Sequence, residues 1–442
     1  MSRLAVLFLG SLLCLGISTT PLYATVTTKP HHAAPAKLKP THKIATKPHA
    51  ASTKSASASS HHPVAARSST KSAAVTGTVR RGGVHSIAAT RSRRRVRFTE
   101  RFTASSFADN VTSGDITTGE DPVVREAAIQ ALGNMNGTAV AIDPATGRIL
   151  AMVNQKLALS SGAEPCSTIK LTVALAALEE GLITRDTPVN LGGGYKVDLT
   201  YALAKSINPY FEVLGRTMGF ERVKHYANMF GLGELAGYNI PGEHLGTYPD
   251  EELPAKLGGV GRMCSFGEGI FMTPLQLGAI VSAIANGGTL YYLQHPTTQE
   301  EAKNFAPKVK RTLDIAPILP EMRPGMEGAV QASYGTARSL RANFNAFPVM
   351  GKTGTCSNNG TRFGWFASYA ETPMGKIVTV IFLEGGRPTF GPKAAELTGQ
   401  FYRAMYERSY FQPRGVPLTP LALPTTVPVS AADEESDTGG GQ

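Results

Sequence analysis

Acidic residues are missing from the first part of the chain: no aspartate or glutamate precedes Glu100. Residues 25–99 hold 7 Lys and 8 Arg, a charge of +15, and Arg3 adds one more. The whole chain carries +11, which leaves residues 100–442 at −5. The basic character therefore belongs to the leader, and a basic nucleic-acid-binding domain is excluded for the remainder. Large apolar residues are also scarce in residues 25–115, where Ala, Ser, Thr, Lys, His and Pro dominate. Such a segment cannot bury enough surface to offset its ordering entropy, so a disordered basic linker is expected. Seven of the ten histidines fall there without ligand spacing, so no metal site is expected.

The apolar run at the start, Leu4 to Ile17, has 14 residues, short of the roughly 20 that a membrane helix needs. It follows Arg3 and precedes Leu22-Tyr23-Ala24, the pattern of a signal peptide ending at residue 24, with an uncleaved anchor as the alternative. Cys14 follows Leu13 rather than a small residue, which argues against lipidation. Cleavage would leave three cysteines, Cys166, Cys264 and Cys356, in an exported compartment where disulfides persist. No internal repeat is present. The expected organisation is a signal at 1–24, the linker at 25–115, one folded domain at 116–410 and a loose Pro/Gly-rich tail at 411–442.

Within the folded part, Val123–Leu132 has helical apolar spacing and stops at Gly133. Gly137 to Val153 reads as strand, a turn from Asp143 to Gly147, and strand. Helices are predicted over Ser167–Glu180, Glu221–Phe230, Pro274–Ala285 and Lys393–Tyr406. Strands are predicted around Lys352, over Gly364–Tyr369 and over Ile377–Leu383. Strands at both ends with helices between them indicate an α+β layer fold, and roughly 290 residues are ample for a core.

Three short motifs carry chemistry. In Ser167-Thr168-Ile169-Lys170, residues i and i+3 share a helix face, so Lys170 reaches back to the Ser167 hydroxyl. A serine becomes nucleophilic beside a base, and a lysine serves when it is largely neutral; burial and a second ammonium both favour that form. A helix start also aims free backbone N–H groups at a developing oxyanion. Taken alone, the motif equally fits an N-capping serine with a surface lysine. Ser206-Ile207-Asn208 offers a relay hydroxyl and an amide, or simply a helix cap. Gly351-Lys352-Thr353-Gly354-Thr355 ends like a phosphate-binding loop. However, the first glycine of that loop is replaced by Ala346, and the polar turn Cys356–Gly360 leads to a strand rather than a helix. The remaining reading is a strand presenting a lysine, two hydroxyls and a close-approach glycine to a substrate.

In the order Ser-x-x-Lys, Ser-x-Asn, Lys-Thr-Gly, these motifs match the set of penicillin-binding proteins and class A β-lactamases. Over roughly residues 121–410 the chain resembles the transpeptidase domain of penicillin-binding proteins. Ala139 to Met152, Asn239-Ile240-Pro241-Gly242-Glu243, Gly267-Glu268-Gly269, Thr273 to Leu277, and Trp365-Phe366 also match that family's pattern. The resemblance implies a central antiparallel sheet flanked by helices, with a helical subdomain. It implies Ser167 as the acylated residue, Lys170 as its base, and Ser206 as proton donor to the leaving amine. Asn208 would bind the substrate amide, Lys352 would add positive potential, and Thr353 and Thr355 would hold a carboxylate beside Gly354. The backbone N–H groups of Ser167 and Thr355 would form the oxyanion hole.

The implied activity is D,D-transpeptidation or D,D-carboxypeptidation of peptidoglycan stem peptides, without a cofactor and with β-lactams as inhibitors. The basic linker would meet an anionic wall polymer or membrane surface. A serine β-lactamase and a non-catalytic sensing module are the alternatives. The lactamase would need a Glu to activate water, and no E-x-x-x-N element surrounds Glu243. The chain departs from the family in three ways. Cys166 stands where Gly or Ala is common, the 39-residue step from Ser167 to Ser206 suggests a trimmed helical subdomain, and the basic linker stands in place of an N-terminal pedestal. The resemblance further implies a Cys166–Cys356 disulfide, found at the matching pair in some carbapenem-hydrolysing class A enzymes, with Cys264 left free.

Overall fold

The structure is a computed structural model that describes residues 101–413, 415 and 417–423. The expected signal, most of the linker and the end of the tail lie outside the described residues. In chain order the main elements are α1 (Pro122–Leu132), β1 (Gly137–Asp143), β2 (Arg148–Val153), α2 (Lys170–Glu179) and α3 (Leu199–Lys205). They continue with α4 (Asn208–Met218), α5 (Phe220–Met229), α6 (Gly259–Phe266), α7 (Pro274–Asn286) and α8 (Leu319–Gln331). The chain then returns to the sheet with β3 (Val349–Asn358), β4 (Thr361–Thr372) and β5 (Gly375–Gly385), and closes with α9 (Gly391–Glu407).

The five strands form one antiparallel sheet in the order β2-β1-β5-β4-β3. Two local turns set its register. Between β1 and β2, Asp143 accepts hydrogen bonds from the Ala145 N–H and the Thr146 hydroxyl. Between β3 and β4 the turn is only Asn359-Gly360, with φ of 50° and 74°, the left-handed pair that a two-residue hairpin requires. The strand therefore runs on through Cys356 to Asn358, where the sequence suggested a longer turn. This α+β sheet flanked by helices is the fold class the sequence indicated.

Both faces of the sheet are buried, which explains why β1, β2 and β5 are largely apolar. Val140, Ile142, Trp365, Ala367, Val378 and Val380 join one core with α2, α4 and α7. Ala139, Ala141, Phe366, Ala370, Ile377 and Ile381 join the other with α1 and α9. The alternation follows from the two-residue side-chain period of a strand. Helix α2 is buried from Lys170 to Leu178, the signature of a helix in the interior. Helix α7 begins with a capping box between Thr273 and Gln276 and ends at Gly287, φ 95°, as its Pro start and Asn-Gly-Gly end predicted.

Residues 101–115, assigned to the linker from sequence, pack on the folded body. The Thr103 N–H donates to Gly360 O at 2.8 Å, Ser106 Oγ accepts from the Gly386 N–H at 2.7 Å, and Asp115 pairs with Arg125 at 2.8 Å. These anchors are backbone, hydroxyl and carboxylate groups, which an apolar-composition argument does not register. The start of the tail is likewise engaged: Phe411 is buried, and the Tyr406 hydroxyl donates to Thr419 O at 2.7 Å. Among the described residues no helix is long and apolar enough to cross a membrane.

Candidate active site

Ser167 lies on a 3₁₀ turn that runs straight into α2. Cys166–Ile169 forms a single 3₁₀ turn ahead of α2, and Cys166 has φ of +50°. Ser167 is half-buried, while Lys170, one turn further on, is fully buried. The Lys170 Nζ lies 2.8 Å from Ser167 Oγ, 2.9 Å from both Ser206 O and Ser206 Oγ, and in contact with Asn208 Oδ1. Four oxygens surround a nitrogen that carries at most three hydrogens. When the amine is neutral it has two hydrogens and a lone pair, so one of the hydroxyls donates to it.

Ser206 caps α3 in the left-handed conformation, φ 63° and ψ 43°. Asn208 opens α4 with Pro209 in its first turn. The kink between the two helices thus turns Ser206 and Asn208 together toward Lys170. From the other side, Lys352 on β3 brings its buried Nζ to 2.8 Å from Ser206 Oγ and 3.0 Å from Thr353 O. Ser206 Oγ therefore bridges two lysine amines, one from the helical layer and one from the sheet. Gly351-Lys352-Thr353 sits within a strand and not between a strand and a helix, so the phosphate-loop reading falls.

The triplet's remaining members serve close approach. A Cβ added at Gly354 would lie 2.9 Å from Pro165 O, 3.1 Å from Thr168 Cγ2 and 3.3 Å from Cys166 Cβ, so the nucleophile turn rests directly on β3 where only a hydrogen fits. The Thr353 hydroxyl donates to Thr336 Oγ1 at 2.7 Å, and Thr355 Oγ1 accepts from the Gly391 N–H at 2.8 Å. Thr336 and Gly391 were not foreseen, since nothing in their local sequence distinguishes them from loop residues. As an acceptor in that bond, Thr355 Oγ1 still has its own O–H to donate.

Three further ties hold the turn to the sheet. Cys166 and Cys356 form a disulfide with Cα atoms 5.5 Å apart, and Cys264 is a free, buried thiol whose burial raises its pKa to about 12. The single tryptophan, Trp365, donates from Nε1 to Glu164 O at 2.9 Å and stacks on Phe382 at 3.9 Å. The Glu164 carboxyl accepts from Asn358 Nδ2 at 3.2 Å. Burial, then the nearby Glu268 carboxylate, push its pKa up against the opposing Gly269 N–H and Asn358. Glu243 is engaged elsewhere: its oxygens accept the Ala236 and Gly237 N–H groups at 2.9 and 3.0 Å. Among the described residues no group of three His, Cys, Asp or Glu side chains is placed to hold a metal ion.

A serine–lysine centre lodged between a helical layer and the edge strand of an antiparallel sheet is an architecture for serine acyl transfer. Residues 137–405 match the family described as penicillin binding protein transpeptidase domain, and the chain belongs to that family. It is 28% identical over 361 residues to stage V sporulation protein D of Bacillus subtilis, covering 67% of this chain and 54% of that protein. It is 25% identical over 364 residues to the peptidoglycan D,D-transpeptidase MrdA of Acinetobacter baumannii, covering 65% and 53%. The chain thus spans about half the length of these two relatives. In fold it is similar to Pseudomonas aeruginosa PBP2 solved in complex with WCK 5153, with a TM-score of 0.57, 24% identity and coverage of 70% and 79%.

Proposed function

We propose that this chain is a D,D-transpeptidase or D,D-carboxypeptidase domain acting on peptidoglycan stem peptides through an acyl-enzyme on Ser167. The observation that carries this reading is the continuous contact Ser167 Oγ–Lys170 Nζ–Ser206 Oγ–Lys352 Nζ, each step 2.8–2.9 Å. In the forward step neutral Lys170 takes the Ser167 proton as Oγ attacks the carbonyl of the penultimate D-alanine. The backbone N–H groups of Ser167 and Thr355 receive the oxyanion. Ser206 then passes its proton to the departing D-alanine amine and is reprotonated from Lys170, which returns Lys170 to its neutral form. Lys352, Thr353 and Thr355 attract the terminal carboxylate, Asn208 orients the peptide amide, and the free edge of β3 suits an extended peptide. An acceptor amine or water completes the reaction.

The test is labelling with a fluorescent penicillin followed by mass mapping. The adduct is expected on Ser167, to be absent in Ser167→Ala, and to last for hours. An adduct on another residue overturns the assignment. Turnover within milliseconds would indicate a β-lactamase, a reading weakened by the engagement of Glu243 with backbone amides. Export is proposed from Leu4–Ile17 and is tested by N-terminal sequencing of the mature protein. The +15 of residues 25–99 suits attraction to an anionic envelope surface. That attraction should fade above about 0.15 M salt, where the Debye length is about 8 Å.

A further inference from the structure

Residue 166 occupies a conformation that its side chain disfavours. Its φ of +50° crowds Cβ against the carbonyl for any L residue, whereas glycine adopts it freely. The residue that follows is the nucleophile, so a relaxation of Cys166 to negative φ would swing the Ser167 N–H and Oγ away from their positions. The opposing strand leaves little slack, since the Gly354 Cα faces Pro165 O and Cys166 Cβ across a gap with no room for a methyl group. Cys356, two residues beyond Gly354 on that strand, supplies the sulfur bonded to Cys166.

We propose that the Cys166–Cys356 disulfide is a positioning device for acylation: it holds residue 166 in the left-handed conformation that glycine would adopt unaided, and so keeps Ser167 on Lys170. The bond thereby makes acylation sensitive to redox state. Cys166 is fully buried and Cys356 only partly, so a thiol reductant attacks the Cys356 sulfur and releases the Cys166 thiolate. A dithiol completes the exchange by closing to its own disulfide, and two electrons and two protons pass to the cysteine pair. In the reduced chain the cost of the left-handed conformation is no longer opposed by a covalent tie. For an L residue that cost corresponds to about 5- to 30-fold in population, and acylation should slow by a similar factor. The inference rests on Ser167 being the acylated residue.

The experiment compares fluorescent-penicillin acylation rates for four proteins: the oxidised chain, the same chain reduced by dithiothreitol, Cys166→Ala/Cys356→Ala, and Cys166→Gly/Cys356→Ala. Thermal unfolding is followed in parallel. Both double variants lack the bridge and should unfold at similarly lowered temperatures. The Ala form and the reduced chain should acylate about 5- to 30-fold more slowly than the oxidised chain, and the Gly form should recover to within about threefold of it. Equal rates for the Ala and Gly forms, whether both slow or both fast, overturn the proposal, because a purely stabilising bridge does not distinguish them. Should either double variant fail to fold, the reduced chain decides, with an unchanged rate counting against the proposal. If the oxidised chain is not labelled at Ser167, the functional reading itself fails and takes this inference with it.

Discussion

Lys170 is the side chain on which the proposed chemistry turns, and its removal can be sized from its surroundings. It is fully buried, and its Nζ contacts Ser167 Oγ, Ser206 O, Ser206 Oγ and Asn208 Oδ1. Lys170→Ala removes the amine that lies 2.8 Å from Ser167 Oγ. Loss of a general base slows its step by about 10²–10⁴, or about 2.7–5.5 kcal/mol on the acylation barrier. The same substitution opens a cavity under Phe211, whose ring centroid lies 5.5 Å from the amine. It also strands Ser206 O and Asn208 Oδ1, each unsatisfied buried acceptor costing about 1–3 kcal/mol. Lys170→Met separates the two effects, because it refills most of the volume without supplying a base. The assay is the second-order rate of labelling by a fluorescent penicillin, with a thermal melt of each variant alongside. Both variants are expected to lose labelling by the stated factor, with Met the more stable. A folded variant labelling within about threefold of wild type, under 0.7 kcal/mol on the barrier, refutes the base assignment.

Gly354→Ala places a methyl 2.9 Å from Pro165 O. Overpacking of this kind costs about 1–3 kcal/mol, so lowered thermal stability and slower acylation are expected together, and an unchanged melting temperature contradicts the close approach. Asp115→Ala removes one of the two carboxylates on Arg125, leaving Glu120 at 2.8 Å, and frees the Asn154 and Gln155 N–H groups. With Glu120 still on Arg125, the loss comes from the freed N–H donors, about 1–3 kcal/mol for each, to be read by urea unfolding. A chain begun at Gly119 should show the same loss, and an unaltered midpoint in both would return the domain boundary to residue 116. Glu164 holds its proton more tightly in the folded than in the unfolded chain, since its pKa is raised from 4.5. Its contribution to stability is therefore intact below 4.5 and declines as pH rises through the raised folded value. Glu164→Gln, which keeps an acceptor for Asn358, should melt higher than wild type at pH 7 and converge with it toward pH 4. A constant difference across that range would refute the cause assigned.

Chain order and local chemistry were enough to determine much of this protein. Asp121 and Gly133 bound α1, and Thr273-Pro274 and Gly287 bound α7; the Gly133 stop, the Pro274 start, the Asn-Gly-Gly end and the Asp143–Gly147 turn between two strands were readable, because caps and turns are short-range. The Ser-x-x-Lys spacing put Lys170 within reach of Ser167, while an N-capping serine with a surface lysine fitted the same four residues. Helix α8 shows the limit. With Pro324, Gly325 and Gly328 inside it it reads as a non-helix, and it forms because those glycines let it close on α3, where a Cβ at 325 would meet Leu203 Cβ at 2.7 Å and one at 328 would meet Ala204 Cβ at 3.1 Å. Thr336 at the Thr353 hydroxyl, Glu164 beneath the nucleophile turn, and the anchoring of residues 101–115 were equally invisible, since each depends on partners well separated along the chain. The disulfide stood only as an implication of family resemblance until β3 was laid against the 3₁₀ turn. Sequence determined which groups are present and which local geometry each favours. Only the tertiary structure decided that Lys170 and Lys352, 182 positions apart, meet at one serine hydroxyl, because that meeting depends on how a buried helix packs against the edge of a sheet and not on any run of neighbouring residues.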